Sequence, residues 1–319
     1  MISLPVKREG YVEPFGRCLR RLAVLALVFL ASSQAPAETK VVFLGTGTPL
    51  PDPDRSGPCT AIVVNGTPYL VDAGPGLVRR ATSALRKGVT GLDSVNLKIA
   101  FVTHLHSDHT AGLPDLIFTP WVMGRNEPID VYGPKEIASM TDNILKAWQV
   151  DIDGRAGGIG DHHPDGCKVH AHEIAPGVVH RDRNVTVTAF SVRHEEMVDS
   201  FGFRFDTPDR VIVMSGDTTP TQTLIDHSRG CDVLIHEAYS MATYHCVSAR
   251  AQDYRRRHHT SSIELAAIAN EVKPELLVIY HRSNMGGGAA SADSEDVLLE
   301  EIRAHYKGQV VAGHDLDVF

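Results

Sequence analysis

Short apolar runs, each roughly four to eight residues long, recur along the chain between Gly, Pro and polar clusters. "KVVFLGTG" (40–47), "TAIVVNG" (60–66) and "PYLVDAG" (68–74) have the composition and turn-forming separators of successive strands. A helix is expected over 76–88, then the strand "LKIAFVTH" (97–104), a strand at 128–134 and a helix over 135–149. Residues 151–168, rich in Gly, Asp and His, read as an irregular surface excursion. Strands resume at 185–194, 200–206, 210–217 and 232–239, with further strands at 275–281 and 309–313. Between these, 262–272 reads as a helix, because Ser261 and Glu264 have the spacing of a capping box and Pro274 stops it. Strands in two groups, each with helices, predict an α/β fold of two sheets packed face to face with helices outside.

The first 37 residues break this pattern. Arg17, Arg20 and Arg21 precede an apolar run from Leu22 to Ala31, and Ala35 and Ala37 occupy the small-residue positions of a cleavage site. The run is far short of the roughly 20 residues of a spanning helix. The expectation is a signal peptide over 1–37 cleaved after Ala37, a single hydrolase domain over 38–319, a periplasmic or secreted location and no membrane attachment after cleavage. An uncleaved anchor is the alternative.

Composition narrows the class further. An apolar content of 43% suits a globular core and excludes disorder. The first 37 residues hold five Lys/Arg against two Glu, so their removal takes the net charge from −8 to −11. That balance weighs against broad polyanion binding, which draws on Lys and Arg. Cys59, Cys167, Cys231 and Cys246 lack C-x-x-C spacing and read as buried thiols or one disulfide.

The chemistry concentrates where apolar runs end. "LKIAFVTHLHSDH" releases His104, His106, Asp108 and His109 within six positions. His194, Asp217 and His281 end three other predicted strands, the edge where α/β sheets expose functional side chains. His104 and His106 alternate along extended chain and can face one ion; Asp108 and His109, past the turn, can face a second. Imidazole and carboxylate donors together suit zinc.

These residues resemble the metallo-β-lactamase superfamily. Its landmarks occur in order over roughly 40–285: "FLGTGTP", "YLVDAG", "THLHSDH", "SVRH", "MSGDT" and "YH". The resemblance implies an αβ/βα sandwich and a binuclear centre of two Zn²⁺, with Mn²⁺ or Fe²⁺ as substitutes. His104, His106 and His194 would bind one metal, Asp108, His109 and His281 the other, and Asp217 would bridge them. Asp72 would support the ligand loop without being a ligand. "LIHEAYS" is similar to the HEAT motif of the ribonuclease Z group, with Tyr239 in place of Thr, and "HTSSIELAAIA" is similar to its HST segment. The branch expected is therefore ribonuclease Z-like or zinc arylsulfatase-like.

The implied reaction is attack by a metal-bridged hydroxide on a phosphodiester or sulfate ester, with metals roughly 3.5–4 Å apart. His259 would be the general acid, with His258 as rival, and Glu237 would orient His259. Asp108 would serve both as ligand and in catalysis. Arg255, Arg256 and Arg257 could recognise an anionic ester. His162, His163, His170, His172 and His180 suggest a polar loop, or else a second metal site. The acidic balance, the leader and the absence of a Gly- and Lys-rich arm weigh against nucleic acid, so the expected substrate is a small anionic ester. Genuine 3′-tRNA-processing endoribonuclease activity, β-lactam or lactone hydrolysis, and a non-catalytic periplasmic metal-binding protein are the alternatives. A homodimer is left open.

Overall fold

In the computed structural model of the protein, the described residues are 37–156, 162–195, 197, 199–282 and 295–319. The first sheet contains β1 (Thr39–Gly45), β2 (Cys59–Val64), β3 (Thr67–Val71), β4 (Ile99–Phe101), β5 (Ile129–Gly133) and β6 (Val169–Glu173), in that spatial order. β1 to β3 form an antiparallel meander, and β3 to β6 run parallel. The helices of this half are α1 (Leu77–Arg86), α2 (Ser107–Thr110), α3 (Leu113–Val122), α4 (Ile137–Ala147) and α5 (Gln149–Ala156).

The second sheet contains β7 (Gly177–Arg181), β8 (Thr186–Ser191), β9 (Phe201–Asp206), β10 (Val211–Met214), β11 (Val233–Ala238), β12 (Leu276–Arg282) and β13 (Val310–Ala312). β7 to β10 are antiparallel, whereas β10 to β13 are parallel. Its helices are α6 (Gln222–Ser228), α7 (Met241–Cys246), α8 (Ala249–His258), α9 (Ser262–Val272) and α10 (Glu295–His305). Residues 36–319 form one contact unit.

Alternation along the strands explains the layering. In β2, Cys59, Ala61 and Val63 join an outer core with Leu77 of α1 and Leu116 of α3, while Ile62 and Val64 face the other sheet. The middle layer is aromatic: Phe43, Tyr69, Phe101, Phe203, Phe205 and Tyr280 are buried there. Phe101 meets Phe203 at 5.5 Å and Phe205 at 5.7 Å between ring centroids, which locks the two sheets face to face. A third core places Leu265 of α9 and Leu298 of α10 on Leu234 and Leu277. This is the expected α/β sandwich.

Several local expectations differ from the structure. Strands expected to reach 104, 194 and 217 stop at Phe101, Ser191 and Met214. Their functional residues therefore sit on loops just beyond the sheet. The helix expected over 135–149 is split at Trp148, and α5 occupies the start of the supposed irregular excursion. Residues 169–181 form β6 and β7, whose His- and Glu-bearing sequences conceal edge strands. The capping box at Ser261 and Glu264 is formed as expected. The four cysteines among the described residues, Cys59, Cys167, Cys231 and Cys246, are free thiols, and Cys246 is exposed, so neither a disulfide nor full burial describes the set. The expected leader lies outside the described residues. Among the described residues, no helix is long and apolar enough to cross a membrane.

Phe101 carries the interlock between the sheets, so Phe101→Ala should lower unfolding free energy by about 3–5 kcal/mol. Urea denaturation measures this; a loss below about 1 kcal/mol would mean the sheets do not depend on that ring.

Candidate metal centre

The centre begins at Asp72, the residue after β3. Its backbone is left-handed, with φ 64°, a conformation that non-glycine residues adopt at a cost. Asp72 Oδ1 accepts from the Thr103 backbone N–H at 2.8 Å and from its hydroxyl at 3.0 Å, and Oδ2 lies 2.8 Å from His109 Nδ1. Next to it, His109 and Thr110 close a short turn onto the His106 carbonyl. The loop that carries the histidine cluster is thereby pinned at both ends.

These contacts assign the imidazole tautomers. His109 donates Nδ1–H to Asp72, and His194 donates Nδ1–H to the His258 carbonyl at 2.8 Å. The Thr103 hydroxyl donates to Asp72, so it accepts from His104 Nδ1 at 3.0 Å. In all three rings Nε2 is left as the lone-pair nitrogen, the form in which imidazole binds metals.

Those lone pairs converge. His104 Nε2 and His194 Nε2 lie 2.9 and 3.2 Å from His106 Nδ1. Asp108 Oδ2 is 3.2 Å from His281 Nε2 and 3.5 Å from His109 Nε2. His281, next to last in β12, has φ 42°, a second left-handed residue at the site. Ligand atoms of His104, His106 and His194 form one metal-compatible group, and those of Asp108, His109 and His281 form another. Asp217 lies between them, 3.7 Å from His109 Nε2 and 3.4 Å from His281 Nδ1. It also groups with His104 and His109. The structure brings together all seven residues expected from the sequence, in the expected two sets.

The donor set fits a bound cation. His109 Nε2, Asp217 Oδ1 and His281 Nδ1 are buried without a hydrogen-bond partner, and burying such atoms unmatched is costly. Burial holds the His104 imidazole well below its ordinary pKa, with His109 adding to it. Burial likewise lowers His194 to about 4, against the pull of Asp217. Neutral imidazoles of this kind are ready donors. Burial would raise Asp217, but His281 and His109 outweigh it and hold its carboxyl well below the usual range. Burial would lower His109 and His281, but Asp72 and Asp217 pull His109 well up, and Asp217 with Asp108 pulls His281 up. Here protons balance the buried carboxylates where a divalent ion could take their place.

His259 caps α8 and is buried beside this cluster. Its Nδ1 is 3.4 Å from Glu237 Oε1 and 3.9 Å from Asp217 Oδ2. Glu237 Oε1 accepts from the backbone of Thr260 at 2.9 Å and of Thr218 at 3.4 Å. The carboxyl thus ties the segment after Asp217 to the segment after His259. Burial lowers His259 to about 4, while burial and the nearby Asp217 push Glu237 well above its ordinary value. His258, the rival general acid, has its carbonyl on His194 and its ring stacked on Tyr254 at 4.1 Å.

A well of about 30 Å³ opens onto the cluster between Thr48, Pro49, Tyr254 and His259. An adjacent cleft of about 520 Å³ shares Thr48, Pro49 and Asp108 as wall residues. Tyr254 was not legible as a site residue, because the helix carrying it has no apolar periodicity; Thr48 and Pro49 belong to the "FLGTGTP" landmark.

The arginine cluster is arranged differently from the expectation. Arg255, Arg256 and Arg257 form the last turn of α8 rather than a leader into α9. Arg255 is buried against the Tyr239 ring, whereas Arg256 and Arg257 pair with Asp253 at 2.5 and 2.9 Å. Much of their charge is matched locally. His170 and His172 approach Asp130, and His180 approaches Tyr132 and Asp182. Among the described residues, none of His162, His163, His170, His172 and His180 joins a metal-compatible group.

A sandwich with this buried His/Asp cluster defines a metal-dependent hydrolase. A family model described as a beta-lactamase superfamily domain matches residues 67–282. Ribonuclease Z of Mycobacterium bovis is 31% identical over 283 residues, covering 87% of this chain and 96% of its own length. Two solved structures share the fold: the metallo-β-lactamase fold protein YhfI of Bacillus subtilis and the short form of human tRNase Z. YhfI has TM-score 0.64 and 20% identity, covering 88% of this chain and 99% of its own. The human protein has TM-score 0.61 and 23% identity, covering 88% and 98%. The chain belongs to the metallo-β-lactamase superfamily, within its ribonuclease Z-like group.

Asp72→Asn should retain the fold but weaken metal binding about 10–100-fold, since it removes the charge that orients His109. Competition against a graded chelator series reads this; unchanged affinity would take Asp72 out of the centre.

Proposed function

We propose that the protein is a binuclear metal-dependent endoribonuclease of the ribonuclease Z type, cleaving a phosphodiester at the 3′ side of tRNA precursors. The observation that carries this reading is the placement of His259 and Glu237 beside the His/Asp cluster, in segments similar to the HEAT and HST motifs, in a chain matching a ribonuclease Z over most of both lengths. The relatives favour this alternative over the small anionic ester expected from the acidic balance, the leader and the missing Gly- and Lys-rich arm. Net charge is a property of the whole surface, and a substrate meets only part of it. Nothing in the comparisons bears on sulfate esters, and the reading leaves them out.

His104, His106 and His194 would hold one divalent cation, Asp108, His109 and His281 a second, and Asp217 would face both. Zinc is the cation these donors suit best. Such ions supply Lewis acidity toward phosphoryl oxygens and water. The chain's own residues do the rest. Asp72 and the His258 carbonyl keep the imidazoles in one tautomer. Pro49 and Tyr254 narrow the well and limit water around the scissile group. His259 has Nδ1 toward Glu237 and Asp217 and rests neutral. It takes a proton from water as charge develops on the departing ribose oxygen, hands that proton over from Nε2, and returns to the neutral ring. Glu237 keeps that ring from turning.

Zinc-loaded protein should cut a precursor tRNA and leave a chromogenic β-lactam intact. His259→Ala should lower kcat on the precursor by about 10²–10⁴-fold. Full activity in that variant removes His259 from proton transfer, and turnover of the β-lactam alone overturns the reading. The proposed leader over 1–37 is tested separately by intact mass and cell fractionation. A protein trimmed after Ala37 and exported would be kept from cytosolic tRNA, and the precursor substrate would fall.

A further inference from the structure

Glu301, far from the metal-binding loops in sequence, makes an unusual set of contacts. Its Oε1 accepts from the Ser240 hydroxyl at 3.1 Å and the Ala242 N–H at 2.8 Å. Its Oε2 accepts from the Met241 N–H at 2.8 Å and the Ser262 hydroxyl at 2.6 Å. One carboxylate on α10 therefore holds both the start of α7 and the start of α9.

Those two points bracket a single excursion of the chain. The backbone leaves β11 after Glu237 and Ala238, runs through α7 and α8, and returns at His259 and Thr260. At its base, Tyr239 N–H donates to the Thr260 carbonyl at 3.0 Å and Ser262 N–H to the Tyr239 carbonyl at 2.9 Å. The excursion carries Tyr254 on the wall of the well, the His258 carbonyl that fixes His194, and His259 itself. Within it, α7 buries Thr243, and α8 buries Arg255 and His258. Its two ends meet at the base, where Glu301 touches both. α10 is also held at its first residue, where Glu295 pairs with Arg282, the neighbour of His281, at 2.7 Å.

We infer that Glu301 is a positioning residue that sets the angle of the α7–α8 arm and thereby places His259 against the departing oxygen. This rests on the general-acid role proposed above for His259. Glu301 touches no substrate. It acts because its four acceptor positions are all filled by the two ends of the arm, so losing one lets the base open. An error of about 1 Å at a reacting group costs on the order of 10²-fold in rate.

The test is Glu301→Gln, which keeps the shape but turns an N–H toward groups that are themselves donors. Glu301→Asp is the second variant, keeping the charge while drawing the carboxylate back. Either should lower kcat on precursor tRNA about 10–100-fold with KM within about threefold and metal content unchanged. On bis-p-nitrophenyl phosphate, whose leaving group departs without a proton, the loss should be below about threefold. Combined with His259→Ala, Glu301→Gln should add no further loss on precursor tRNA. Equal losses on both substrates, or losses that multiply with His259→Ala, would overturn the inference and make Glu301 a matter of stability alone.

Amide hydrogen exchange gives a readout without activity. Exchange at 241–242 and 258–260 should rise in the variants while β11 and β12 keep their protection. Unchanged protection at 241–242 overturns the clamp. If wild-type protein leaves precursor tRNA uncut, the proposed function fails, and the exchange result still decides whether the clamp exists.

Discussion

A carboxylate buried at the end of a strand is the constraint on which this structure turns. Asp72 is wholly inaccessible to water, a placement that is costly for a charge unless donors surround it. Here they do: a backbone N–H, a hydroxyl and an imidazole N–H fill its two oxygens. The same contacts fix the turn from Thr103 to Thr110 and assign the tautomers of His104 and His109. Without that anchor, an imidazole on a short loop could rotate, and the converging lone pairs would disperse. The left-handed backbone at Asp72 is the strain that accompanies this geometry.

The remaining residues reach the same point because β10, β11 and β12 are parallel neighbours. Parallel strands release their next residues at one edge of the sheet, where Asp217, Glu237 and His281 emerge side by side. Gly216, just before Asp217, has φ 62°, and a Cβ there would lie 2.8 Å from the Phe201 carbonyl oxygen. The chain can turn Asp217 inward only because that position is glycine. The aromatic layer between the sheets then holds this edge opposite the Asp72 loop. Burial makes the site's electrostatics unusual: His194 and His259 are held neutral, while Asp217 keeps its charge among imidazoles.

The architecture and the metal-type residues were legible in the sequence, because both rest on local signals. Apolar runs punctuated by Gly and Pro mark strands, and a crowd of His and Asp after an apolar run has few inexpensive explanations. The grouping of His104 and His106 with His194 followed from the resemblance, and the distances agree with it. The arginine cluster was less legible: three consecutive arginines suggested an anion site, whereas Arg256 and Arg257 find partners in Asp253. The edge strands at 169–181 were hidden because polar side chains on an exposed edge carry no burial pattern.

The sequence by itself determined which residues could bind a metal, since donor chemistry and strand-end spacing are written in short segments. It also determined the capped start of α9, whose signal spans four positions. Tertiary structure alone decided that Asp72 holds His109, that the His258 carbonyl orients His194, and that Glu301 closes the base of the arm bearing His259. Each joins side chains 37, 64 or 39 to 61 positions apart in the chain. At such separations no local pattern constrains the pairing; packing of the two sheets and their helices makes it.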